Sequence, residues 1–255
     1  MSILSLIIKK AVPIPQPEDM QSVLFVGPHP DDIEIGAGAT AAKLASMGKQ
    51  VSFLICTDGR YGDGYADVKG TELAELREKE ARAGAKTLGV FDVRFLRFSD
   101  GGFYSSDDLK RSLAAAIAEI KPDMIFCPDP DVTSECHPDH LNVGRAVKEL
   151  ACLMPYAGIA GQYGCTSADV KAVAFYMTAK PNTFVGTKGF FATQLEAIFD
   201  CHESQFPQGS EDAKSLALYL KLRAYIFGMK NLSATAEGFR ILGKTHMHCL
   251  PEAGR

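Results

Sequence analysis

The sequence predicts an α/β fold, a mostly parallel sheet with helices on both faces. Two observations predict it. Short apolar runs rich in β-branched and aromatic residues, at 23–26, 51–56, 93–98 and 124–127, alternate with longer segments of helical period. The two densest groups of His and Asp, Gly27-Pro28-His29-Pro30-Asp31-Asp32-Ile33-Glu34 and His137-Pro138-Asp139-His140, each come after one of these runs. Loops at the carboxyl ends of strands are where an open α/β sheet holds its ligands. The two groups are therefore expected side by side.

The elements follow in order. Run 23–26 is a buried strand stopped by Gly27-Pro28. Pro28 and Pro30 hold the next residues extended, so 27–34 reads as a stiff loop rather than a helix start. Residues 36–48 read as a helix that Gly48 ends. Run 51–56 is the second strand, and the Gly-rich segment 57–64 is its loop. Thr71 is expected to cap a long helix with Leu73, Leu76 and Ala83 on one face, closed by Leu88-Gly89. Run 93–98 is the third strand, followed by Ser99-Asp100-Gly101-Gly102. A helix begins at Ser106 or Asp107 and runs to Ile120. Lys121-Pro122-Asp123 turns into the fourth strand. Pro138 suits a first helical turn, and that helix reaches about Met154. Past Pro155 the pattern changes to a Gly-rich loop at 157–164, strands at 170–177 and 183–185, and helices at 187–202 and 210–227. One domain is expected over 1–255. Residues 1–20 form an arm that packs on the domain or a neighbour, and 156–255 complete the site and supply oligomer contacts.

Composition narrows the function. A net charge of −4 over 255 residues argues against general nucleic-acid binding, which wants a basic face. No apolar run is long enough for a membrane span. The apolar stretch 1–8 precedes Lys9-Lys10, the wrong order for a secretory signal. Seven Cys with no CxxC read as reduced thiols of a cytoplasmic protein. Cys127 and Cys152 read as small core residues, and Cys136 is a weaker alternative ligand or nucleophile beside His137.

Two His and one carboxylate are a familiar donor set for a divalent ion with open positions. His29, Asp32 and His140 supply one. Asp31 is then free to act as general base for water at the ion. His137 is free to stabilise an oxyanion or protonate a leaving amine, with Asp139 or another nearby carboxylate to orient it. Glu34 reads as a partner behind the ligands or as a helix N-terminal charge. Gly36-Ala37-Gly38-Ala39-Thr40-Ala41 matches a dinucleotide fingerprint by letters. The acidic loop between it and its strand would repel a pyrophosphate, so close helix–sheet packing is the preferred reading. Asp58, Arg60, Arg77, Glu80 and Asp100 fall around the same sheet edge, where a polyol needs donors and acceptors. For Arg77 and Glu80 the alternative is a paired helix face, and for Asp100 a turn. Glu196, His202, Ser204 and Gln205 read equally well as helix-end caps.

Pro28-His29-Pro30-Asp31-Asp32 with His137-Pro138-Asp139-His140 resembles the PIG-L/LmbE-like family of zinc-dependent N-acetylglucosamine deacetylases. Thr57-Asp58-Gly59, Arg77 with Glu80, Leu88-Gly89-Val90, Asp100-Gly101-Gly102, His202-Glu203-Ser204-Gln205 and Glu237-Gly238-Phe239-Arg240 follow in the family's order. The resemblance implies a Rossmann-like sheet in three layers, α/β/α. It implies one Zn2+ per site on His29, Asp32 and His140, with Asp31 as base and His137 on the tetrahedral intermediate. Arg77 and Asp100 match sugar-binding positions. The diacetylchitobiose deacetylase-like subgroup is the nearest likeness and implies a homo-oligomer in which a C-terminal His, here His248 or alternatively His246, reaches a neighbour's site. Glu135 departs from members that carry a Tyr there, which argues against a close match to the mycothiol type. Two other functions compete: a non-haem iron oxygenase on the same donors, and a non-catalytic sugar- or nucleotide-binding module.

Overall fold

The computed structural model describes residues 10–248. Its strands are β1 (Ser22–Gly27), β2 (Gln50–Thr57), β3 (Asp92–Phe98), β4 (Met124–Pro128), β5 (Ala172–Tyr176), β6 (Thr183–Gly186) and β7 (Ala236–Gly243). Its helices are α1 (Asp32–Ser46), α2 (Thr71–Thr87), α3 (Ser106–Ile120), α4 (Pro138–Leu153), α5 (Ala157–Gln162), α6 (Phe191–Phe199) and α7 (Glu211–Lys230). They build a seven-stranded sheet in the order β3-β2-β1-β4-β5-β7-β6. Strands β1 to β5 pair in parallel, and β7 runs antiparallel to both its neighbours.

Both faces of the sheet are covered, as a parallel sheet requires. Alternate residues of each strand feed two cores. Phe25, Phe53, Phe126, Tyr176 and Phe239 pack under α1, α2 and α6. Leu24, Val26, Leu54, Ile125 and Phe175 pack under α3 and α4. Successive connections run outward from β1 to β3, and the chain then returns to place β4 on the other side of β1. The carboxyl ends of β1 and β4 thus form the topological switch point.

The structure departs from the sequence expectation at four places. Helix α1 starts at Asp32, not 36, because a proline restricts the residue before it and leaves those after it free to turn. Thr71 is the first residue of α2, and Gly70 at φ 60 precedes it with no side-chain cap. Segment 157–164 is not a loop throughout, since α5 forms around the buried Ala160. Strand β7 was unanticipated because Glu237 and Arg240 interrupt its apolar run, yet both are buried. Residues 12–15 of the arm pack on the domain: Val12 O contacts His246 Nε2 at 3.1 Å, and Pro15 lies against Gly243. Residues 1–9 and Cys249 lie outside the described residues; the six described cysteines are free.

Helix α1 is broken at Ala37 (φ −153, ψ 15). Gln194 Nε2 donates to the carbonyls of Glu34 at 2.8 Å and Ile35 at 3.3 Å. Glu237 accepts from the amides of Thr40 at 2.7 Å and Ala39 at 3.3 Å. Gln194 also donates to Glu237 Oε1 at 2.9 Å, so one pair of side chains satisfies both sides of the break. Burial pushes the Glu237 carboxyl up to about 7. Gly36 is obligatory here, because a Cβ would sit inside the buried ring of Tyr176. Small residues in this stretch therefore serve close packing. The break sets off a short first turn that carries Asp32 and Glu34 into the switch point.

Candidate metal centre

The two His and Asp groups meet at the ends of β1 and β4. One ring nitrogen from each of His29, His137 and His140 lies within 4.8 Å of the others. Asp32 Oδ2 sits between two of these rings, 3.0 Å from His29 Nδ1 and 3.3 Å from His140 Nε2. The same oxygen accepts the His29 amide at 2.9 Å. The outer nitrogens of these rings face carboxylates. His29 Nε2 is 3.0 Å from Asp139 Oδ2, and His140 Nδ1 is 3.1 Å from Glu135 Oε2.

That pattern fits a metal-binding donor set. A ligating imidazole carries its proton on the outer nitrogen, donates it to a carboxylate and turns the bare nitrogen inward. His29 and His140 meet both conditions, with Asp32 as the inward carboxylate. The electrostatics agree. Burial would push the His29 imidazole down, but the carboxylates of Asp139 and Asp32 outweigh it and hold it at about 10. Burial would likewise raise Asp32, yet His140 and His29 hold it well below the usual carboxylate range. The locus favours positive charge.

Glu135 was met in the sequence only as a departure from the family pattern; its contact with His140 was not anticipated. Its Oε1 also accepts the His137 amide at 2.8 Å. Glu135→Gln should weaken metal affinity about 10- to 100-fold, the usual effect of losing such a carboxylate. A competitive chelator titration reads it, and unchanged affinity would remove Glu135 from the site.

Asp139 lies behind His29 rather than His137. Its carboxylate is 3.7 Å from His137 Nδ1 and accepts the amides of Gly101 at 2.7 Å and Gly102 at 2.8 Å. Burial would raise its carboxyl, but the His29 contact and these hydrogen bonds hold it at about 2. His137 is half-exposed, and its Nδ1 accepts the Asp139 amide at 3.3 Å as the cap of α4. Its proton then belongs on Nε2.

Asp31 turns its carboxylate to Arg77. Its backbone lies at φ 135, a strained conformation for a residue with a side chain. Arg77 holds it there, donating to Asp31 Oδ2 at 3.1 Å and to the Pro30 carbonyl at 2.9 Å. Burial pushes the Asp31 carboxyl up to about 6, with Arg77 pulling it down and Asp32 pushing it up. The Arg77 guanidinium also donates to the Gly59 carbonyl at 3.0 Å. Arg77 thus clamps the Asp31 carboxylate, while its own Nε is buried without a partner.

A cleft of about 320 Å³ opens over this floor, lined by His29, Asp31, Tyr61, Arg77, Asp100, His137, His140 and Gln205 among others. Asp100 is buried and its Oδ1 has no partner. Asp58 and Arg60 pair with each other at the end of β2. Glu80 does not pair with Arg77 but accepts the Ser204 amide at 2.8 Å. Glu34 meets the fully buried His202 at 3.4 Å, and Gln205 donates to the Gly62 carbonyl at 2.8 Å. Glu196 is exposed. His248 lies with Cys152, Tyr156 and Met247 at the C-terminal end of α4, the opposite end from His140. An α-helix of that length spans about 24 Å, so His248 is remote from the cleft of its own chain. Gly243 donates its amide to His246 Nδ1 at 3.1 Å, which ties that ring to the arm contact.

Comparisons with known proteins agree with this geometry. The PIG-L family model, described as GlcNAc-PI de-N-acetylase, matches residues 24–151. Over 242 residues the chain is 34% identical to diacetylchitobiose deacetylase of Thermococcus kodakarensis, covering 92% of this chain and 88% of that one. It is 32% identical over 189 residues to 1D-myo-inositol 2-acetamido-2-deoxy-alpha-D-glucopyranoside deacetylase 2 of Catenulispora acidiphila, covering 63% of this chain and 59% of that one. The solved N,N'-diacetylchitobiose deacetylase from Pyrococcus horikoshii matches with a TM-score of 0.85 at 30% identity, covering 98% of this chain and 97% of that one. Both His and Asp groups fall inside the matched segment, and the chain belongs to the PIG-L family of N-deacetylases.

Proposed function

We infer that the protein hydrolyses the acetamide of an N-acetylglucosamine-type sugar or glycoside, releasing acetate and the free amine. One observation carries this reading. Asp31 is a buried carboxylate clamped by Arg77 beside the His29–Asp32–His140 group but not part of it. An oxygenase on the same donors has no use for such a base, and a binding module has no use for its strained backbone.

His29 Nδ1, Asp32 and His140 Nε2 would hold the ion, which we assign as Zn2+ from its preference for imidazole and carboxylate with positions left open. When bound, the ion acts as a Lewis acid that polarises the acetamide carbonyl and acidifies water. Asp31 accepts the proton of the water that adds to the carbonyl carbon. His137, with Nδ1 occupied by the helix cap, donates its Nε2–H to the developing oxyanion. Asp31 then returns its proton to the sugar nitrogen as the C–N bond breaks. The test is amine release from N-acetylglucosamine and N,N'-diacetylchitobiose by protein of known metal content. Metal-dependent release supports the reading. Release from neither by the zinc-loaded protein would overturn it.

The working form is proposed to be a homo-oligomer. Leu218, Tyr219, Leu222, Tyr225, Ile226 and Met229 are all exposed on α7, an apolar face of the kind that marks contact surfaces. Sedimentation should report more than one chain per particle, and Leu222→Glu should shift the mass downward. A monomeric wild-type protein would refute it. Among the described residues, no helix is long and apolar enough to cross a membrane.

A further inference from the structure

A single exposed aromatic ring needs no explanation, but two in contact at the mouth of a ligand cleft do. Tyr61 is 57% exposed and Phe103 is 74% exposed. Their rings meet edge to face, with centroids 6.1 Å apart at 81°. Tyr61 follows β2 and Phe103 follows β3, so both stand at the carboxyl edge of the sheet. Tyr61 also lines the cleft beside Asp31 and His137.

The backbone under these rings is fixed. The Tyr61 amide donates to Asp100 Oδ2 at 3.3 Å. The amides of Gly101 and Gly102 are held by Asp139, the carboxylate behind His29. Gly101, at φ 79, passes close beneath the pair: a Cβ there would lie 3.1 Å from the Phe103 ring and 4.0 Å from the Tyr61 ring. Asp100, bonded to Tyr61, carries the buried oxygen that has no partner. The polar floor of the cleft therefore continues to the foot of an apolar shelf.

A pyranose has the complementary chemistry, with hydroxyls around its edge and an apolar C–H face that packs on aromatic rings. We propose that Tyr61 and Phe103 form a shelf for a second sugar ring, joined to the one that loses its acetyl group. This rests on the deacetylase reading and deepens it: Tyr61 and Phe103 are the residues that set how strongly a two-ring glycoside is preferred over a single pyranose.

Binding tests the shelf independently of turnover. The metal-loaded Asp31→Asn protein is titrated calorimetrically with N-acetylglucosamine and with N,N'-diacetylchitobiose, alone and with Phe103→Ala, Tyr61→Ala or Phe103→Trp added. The disaccharide should bind more tightly. Each alanine variant should reduce that preference about tenfold, the scale of one aromatic contact, and Phe103→Trp should retain it. Equal affinity for the two sugars, binding of neither, or a preference that survives both alanine changes would overturn the shelf. A change of oligomeric state in Phe103→Ala with the preference intact would also overturn it, because the rim would then be a subunit contact. Failure of the deacetylase reading is read separately, as absence of amine release by the wild-type protein.

Discussion

Asp31→Asn protein is expected to keep its metal and lose about 10²- to 10⁴-fold in kcat, the contribution of one positioned general base. The geometry sets that expectation. Asp31 Oδ2 takes an N–H from Arg77 at 3.1 Å, while the inward nitrogens of His29 and His140 converge on Asp32. An asparagine can still accept from Arg77 through its amide oxygen, so the strained turn at φ 135 retains its anchor. What it cannot do is take a proton from water. Metal analysis and acetate release on the same preparation separate these effects. Full metal with kcat reduced and KM little changed is the expected pattern. Turnover within a few fold of wild type would assign the base elsewhere, and lost metal would draw Asp31 into the donor set.

The sequence made the site legible because its signal is local. Each metal motif follows a buried strand, and the parallel pairing of β1 with β4 brings the motifs together. The alternation of strands and helices was likewise readable, since apolar period is a property of neighbouring residues. What was not readable depends on partners far along the chain. Glu237 and Arg240 break the apolar run of β7. In the fold Glu237 bridges the break in α1 with Gln194, and Arg240 pairs with Asp129 and Asp131 at the base of the loop that carries His137. These polar groups can be buried because they are partnered, and no periodicity shows where a partner will be. The same holds for Glu34 and His202. Glu34 reads as a partner behind the ligands and His202 as a helix-end cap, and their contact requires α6 to pack against α1 and α2. Gly84 makes room for it: a Cβ there would lie 2.7 Å from Glu34 Oε1 and 3.0 Å from His202 Nε2.

The donor set itself can be decided between two arrangements that share His29 and His140. Three imidazoles converge in the cleft, so His137 competes with Asp32 for the third position. The backing carboxylates favour Asp32, because Asp139 and Glu135 orient His29 and His140 toward it and none orients His137 as closely. Asp32→Ala and His140→Ala should each lose the metal. Turnover should then fall by about three orders of magnitude or more, since a Lewis acid contributes several kcal/mol to such a barrier. His137→Ala should keep the metal and lose about 10²- to 10³-fold in kcat, as expected for one oxyanion donor. Thermal unfolding of each variant checks that α1 still forms without its first carboxylate. Metal retained by Asp32→Ala and lost by His137→Ala would select the three-imidazole site. The proton on His137 Nε2 would then be displaced by the ion, and the oxyanion donor would have to come from another residue of the cleft.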